Sequence, residues 1–178
     1  MNKFVTKTLL GALLLLFAAA SLWAWVPGRM IGGGSFFQSI RGVQTRITHG
    51  FELHCQPSEG VFPAPNNLEV NWDGGNNFHL EQLTMGICTD EHNPPGPAPP
   101  NAPFTDYYGA GLGRYNGVPG ARAIWRFTDE GEPGVNDQVI YLIVFDAHGD
   151  PVLSTSGPAT LTFGNHQAHR ATGNSAGD

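Results

Sequence analysis

Apolar and polar residues alternate strictly in several short stretches of this chain, and that period of two constrains the fold more than any other feature. Phe51, Leu53 and Cys55 oppose Glu52 and His54. Leu68, Val70 and Trp72 oppose Glu69 and Asn71, and Ala123, Trp125 and Phe127 oppose Arg122 and Arg126. Successive side chains of a strand point to opposite faces, so each stretch reads as a half-buried strand. Further strands are expected over 78–83, 111–116, 152–156 and 159–163. Val139 to Phe145, apolar throughout, reads as a central strand covered on both faces. Between them stand turn signals such as Asp73 to Asn77 and Asn116 to Gly120. The 178 residues hold 24 Gly and 14 Pro, and only 13% are charged, which argues against a helical bundle because soluble helices need a charged face and few breakers. The expected fold is all-β: a single β-sandwich of about eight or nine mostly antiparallel strands.

The chain begins differently. Lys3 and Lys7 precede an apolar run from Leu9 to Ala20 that ends in three alanines, the pattern of a secretory signal peptide over residues 1–20 with cleavage after Ala20. A retained membrane anchor is the rival reading, since Leu22 to Val26 extends the apolar run. Residues 21–35 then read as a Gly-rich linker, 36–169 as the β-sandwich domain with a Pro-rich loop over 92–103, and 170–178 as a disordered tail. Removing residues 1–20 removes both lysines and leaves seven Arg against fifteen Asp and Glu, a net charge of −8. Such a surface repels phosphate backbones, so nucleic acid is excluded as a partner. The membrane enters only during export, and the expected location is secreted, periplasmic or on the cell surface. In that compartment Cys55 and Cys88 read as one disulfide.

Two clusters suit metal chemistry. Asp129, Glu130, Glu132 and Asp137 lie within nine residues and offer the oxygen ligands that calcium takes, in a loop expected to be exposed and not needed by the core. Calcium is thus the candidate cofactor for this loop; the competing reading is a solvated polar turn. Glu52, His54, His79 and Glu81 lie on outward strand faces, where imidazole and carboxylate donors suit zinc or copper, with His166 and His169 able to join. The competing reading is cross-strand His–Glu pairing. Tyr107, Tyr108 and Tyr115 are candidates for stacking on a sugar, while Trp72 and Trp125 belong to the core. The sequence carries no GxSxG, HExxH or P-loop. A carboxylate pair drawn from Glu52, Glu69 and Glu81 would be the glycosidase alternative.

Seven segments, GRMIGGGS from Gly28, THGFELHC from Thr48, NNLEVNW from Asn66, NFHLEQLT from Asn77, GLGRYNGVPGA from Gly111, FTDEGEPGVND from Phe127 and GNHQAH from Gly164, follow one another in an order that resembles the post-COAP type of bacterial secreted and surface domain. The resemblance covers roughly 28–169. It implies an exported β-rich module, often repeated within larger surface proteins, with no established catalytic activity. A binding or structural module with a surface glycan or protein as partner is therefore the first functional expectation. A small secreted glycan-active hydrolase or carbohydrate-binding module is the second.

Overall fold

The computed structural model describes residues 27–55, 62, 65–91 and 102–170. The signal peptide, most of the Pro-rich loop and residues 171–178 lie outside the described residues. Ten strands run in chain order: β1 (Gly28–Ile40), β2 (Val43–His54), β3 (Asn67–Trp72), β4 (Asn76–Thr89), β5 (Asp106–Tyr115), β6 (Val118–Thr128), β7 (Gln138–Phe145), β8 (Pro151–Ser154), β9 (Ala159–Thr160) and β10 (Phe163–Arg170). Among the described residues there is no helix long and apolar enough to cross a membrane.

The expected all-β class holds: all the strands of the described residues belong to one hydrogen-bonded antiparallel sheet. Neighbours in sequence are neighbours in space from β1 to β8, β10 returns to flank β1, and the short β9 pairs with β7. The ladder does not close into a barrel. Side chains and short loops nevertheless tie its two ends. Arg41 donates to the Pro151 carbonyl at 3.2 Å, Gln38 to the Gly157 carbonyl at 3.0 Å, and the Thr162 N–H to the Ser35 carbonyl at 2.8 Å. One face of the sheet is thereby wrapped around a shared core.

That core follows the alternation. Leu53, Leu68, Val70, Phe78, Ala123, Trp125, Phe127 and Val144 are buried, while their polar neighbours face outward. Tight hairpins fix the register: Asn116 and Gly117, both at positive φ (49° and 79°), form the two-residue turn between β5 and β6. Cys55 and Cys88 form a disulfide with Cα atoms 5.6 Å apart.

Two expectations are corrected. Gly28 to Ser35 is the first half of β1 and not a linker, hydrogen-bonded to β2 on one side and β10 on the other. Its glycines suit close packing: a Cβ at Gly32 would lie 2.3 Å from the Asn165 carbonyl oxygen, and one at Gly34 2.2 Å from that of Phe163. The run from Val139 to Phe145 is buried on its inner face only, with Ile140, Tyr141, Ile143 and Phe145 half-buried on the outer face. Among the described residues no second sheet covers that face, which is why the sequence overestimated its burial.

Candidate functional site at the seam of the sheet

The motifs GEPGVND and GNHQAH, far apart in sequence, meet where the loop between β6 and β7 lies against β10. Asp137 Oδ2 accepts the His166 N–H at 2.6 Å, and its Oδ1 accepts the Glu130 N–H at 2.8 Å. Asp129 Oδ2 accepts the Ala168 N–H at 2.7 Å. Outside this pair, Glu132 accepts the side-chain amides of Asn165 (2.9 Å) and Gln167 (2.8 Å). Asp137 and Asp129 thus take the place of a ladder strand along the free edge of β10, and Glu132 holds two of its side chains.

This corrects the expected exposure of the loop. Asp129 and Asp137 are fully buried, Glu130 is half-buried, and only Glu132 of the four is exposed. Burial pushes the Asp129 carboxyl up to about 6, and Asp137 is raised for the same reason although the N–H groups of His166, Glu130 and Gly131 pull the other way. The premise that four carboxylates must stay in solvent failed because backbone N–H donors can satisfy a buried carboxylate without a counter-ion.

Behind this edge sits a pair the sequence reading did not single out. His49 on β2 and His166 on β10 are buried, with their Nε2 atoms 2.7 Å apart. The Thr128 carbonyl can only accept, so His166 donates to it through Nδ1–H at 2.9 Å, which leaves His166 Nε2 as an acceptor. His49 must then donate through Nε2–H, and its Nδ1 remains a bare, buried acceptor with no partner. The two strands are separated by β1, and the register places Gly32 beside His166 and Gly34 beside His49 on the same face. Without side chains there, the imidazoles meet above β1. Phe36, Phe51 and Phe127 surround them with ring centroids 5.2 to 5.8 Å from that of His49. Burial lowers His49 to about 3, with His166 contributing, and His166 to about 4.

The outward candidates do not converge. Glu52 pairs with Arg29 at 3.1 Å, Glu81 with Arg114 at 2.5 Å, and His79 with its cross-strand neighbour Glu69. His54 Nδ1 bonds the Pro65 carbonyl at 2.9 Å. Strand β3 separates the β2 pair from the β4 pair, and His169 is half-buried beside Arg29. Among the described residues no group of three or more His, Cys, Asp or Glu is placed to hold a metal ion.

The three tyrosines part company. Tyr107 is in the core with its hydroxyl donating to the His54 carbonyl, and burial raises its pKa. Tyr108 lies under the Arg126 guanidinium, 4.8 Å from its ring centroid, and donates to Glu91 at 2.5 Å. Tyr115 instead lines an open pocket of about 250 Å3 among the hairpin turns at one end of the sheet. It stacks on Trp72 there, with centroids 5.7 Å apart and planes 8° from parallel.

Comparison with known proteins adds no relative: no family model, no curated protein and no solved structure matches this chain. The class that fold and site define is an all-β chain of one antiparallel, disulfide-bonded sheet whose acidic loop fastens its edge strand.

Proposed function

We propose that this protein is an exported, non-catalytic β-module of the post-COAP type, serving at or beyond the bacterial cell surface as a binding or structural element. The observation that carries this reading is the engagement of the carboxylates. Asp129, Glu132 and Asp137 fasten β10, while Glu52, Glu69 and Glu81 are each paired with a neighbouring basic or imidazole group on the outward face. A glycosidase needs two carboxyl groups facing one cleft, one of them held protonated. Each carboxylate considered for that role is instead engaged by an arginine or imidazole side chain. The disulfide and the absence of a membrane-crossing helix among the described residues are compatible with an extracytoplasmic location.

The test is expression of the full chain in a bacterial host, followed by fractionation, intact mass and incubation with polysaccharides. The expected product is exported, starts at Ser21, has no free thiol and releases no reducing ends. A cytoplasmic product with residues 1–20 retained and both thiols free would overturn export, and release of reducing ends would overturn the non-catalytic assignment.

A further inference from the structure

The pocket at the hairpin end is lined by residues that include Arg41, Thr45, Trp72, Asp73, Asn76 and Tyr115. Its volume of about 250 Å3 is below the roughly 300 to 1,000 Å3 of pockets that enclose drug-sized ligands, so it suits a single ring. One wall is the half-buried Tyr115 stacked on the buried Trp72, both lining the pocket and packed on the core. The rim carries hydrogen-bonding groups of both kinds. Arg41 uses one of its five N–H donors on the Pro151 carbonyl, which leaves donors to spare. Tyr115 donates its hydroxyl hydrogen to Asn76 Oδ1 at 2.7 Å, and Thr45 donates its own to the Val43 carbonyl at 3.1 Å. The hydroxyl oxygen of the half-buried Tyr115 keeps acceptor capacity, and the exposed carboxylate of Asp73 stands on the same rim.

The charges on the rim, one Arg and one Asp, cancel. An anion would meet Asp73 and a cation would meet Arg41, so neither is favoured over a neutral molecule. A neutral ring with one apolar face and several hydroxyl groups that both donate and accept matches what the pocket presents. We infer that this pocket binds a neutral pyranose unit, its C–H face against the Trp72–Tyr115 wall and its hydroxyl groups on Arg41 and Asp73. This rests on the reading of the protein as a non-catalytic module and gives that module a ligand class. The structural basis is that four hairpin turns, from 40–43, 73–75, 116–117 and 146–150, gather at one end of the sheet, a common place for ligand sites in wrapped β-structures.

The experiment is titration of the oxidised full chain with the methyl glycosides of glucose, galactose, mannose and N-acetylglucosamine, followed by backbone amide shifts in NMR. Saturable shifts at Arg41, Asp73, Asn76 and Tyr115 are expected for at least one glycoside. Asp73→Ala, at an exposed turn position, should weaken that binding by about tenfold with an unchanged melting temperature, and Arg41→Asn, which also removes the bond to Pro151, should weaken it by a similar factor. Shifts that appear with choline chloride and with no glycoside would overturn the proposal in favour of an aromatic cage for a quaternary ammonium group. The absence of shifts at these four residues with every glycoside would overturn it as well, and would leave the module reading intact. Release of methanol from a glycoside would instead overturn the non-catalytic reading.

Discussion

Asp137 grips the backbone of His166: its Oδ2 accepts the His166 N–H at 2.6 Å while its other oxygen accepts the Glu130 N–H at 2.8 Å. Both oxygens are acceptors, so the residue must be a carboxylate to satisfy both donors. Asp129 differs. Its Oδ2 accepts the Ala168 N–H, whereas its Oδ1 has no hydrogen-bond partner.

The two aspartates should therefore respond differently to the same change. Asp137→Asn turns an NH2 group toward an N–H donor, leaves a buried donor unsatisfied and should cost about 1–3 kcal/mol. Asp129→Asn keeps an oxygen for Ala168 and removes a buried charge, so at pH 7 it should be neutral or slightly stabilising. Urea unfolding of both variants checks this. Equal losses would show that the two carboxylates are equivalent.

Acid should loosen the seam. The folded-state pKa values of His49 and His166 are depressed to about 3 and about 4, below the unfolded value of 6.5. The unfolded chain therefore binds more protons in that interval. The stability contributed by the neutral pair is complete above pH 6.5 and is lost as pH falls toward 4, each proton contributing about 1.4 kcal/mol per pH unit. Asp129 acts in the opposite sense: with a folded pKa of about 6 against 3.8, it adds stability as pH falls from 6 toward 3.8. Unfolding midpoints between pH 7 and 5 should fall, less steeply in His49→Phe and more steeply in Asp129→Asn. Parallel curves for the three proteins would refute the linkage.

The disulfide ties the end of β2 to β4 across a sequence separation of 33. In the chain-entropy account, its loss should cost roughly 3 to 4 kcal/mol. The Cys55→Ser, Cys88→Ser double variant should accordingly melt roughly ten degrees lower, as seen by differential scanning calorimetry. An unchanged melting temperature would mean that the sheet holds its register without the bridge.

Two glycines offer a paired test of packing. A Cβ at Gly109 would lie 2.1 Å from the buried Trp125 ring, so Gly109→Ala should cost about 1–3 kcal/mol or more through overpacking. At Gly50 a Cβ meets nothing within 4 Å, and φ is not in the positive region. Gly50→Ala should be neutral or stabilise by up to about 1 kcal/mol by restricting the unfolded chain. Thermal melts of the two variants give the comparison, and a similar loss in both would contradict the packing account.

Much of this was written locally. The alternation of Phe51, Leu53 and Cys55 assigns their inward face, and carried back by two residues it places His49 inside as well, a signal that was present and not followed. The strand pairs across Asp73 to Asn77 and Asn116 to Gly117 follow from turn chemistry and alternating side chains, both properties of adjacent residues. The count of sheets, the meeting of GEPGVND with GNHQAH, the space above Gly32 and Gly34 where two imidazoles join, and the pocket beside Tyr115 were decided by tertiary structure. Period two tells which side of a strand is apolar, but not what covers it. A carboxylate in a loop is solvated or buried according to which backbone donors arrive from elsewhere in the chain, and for Asp137 the donor arrives from His166, 29 residues away.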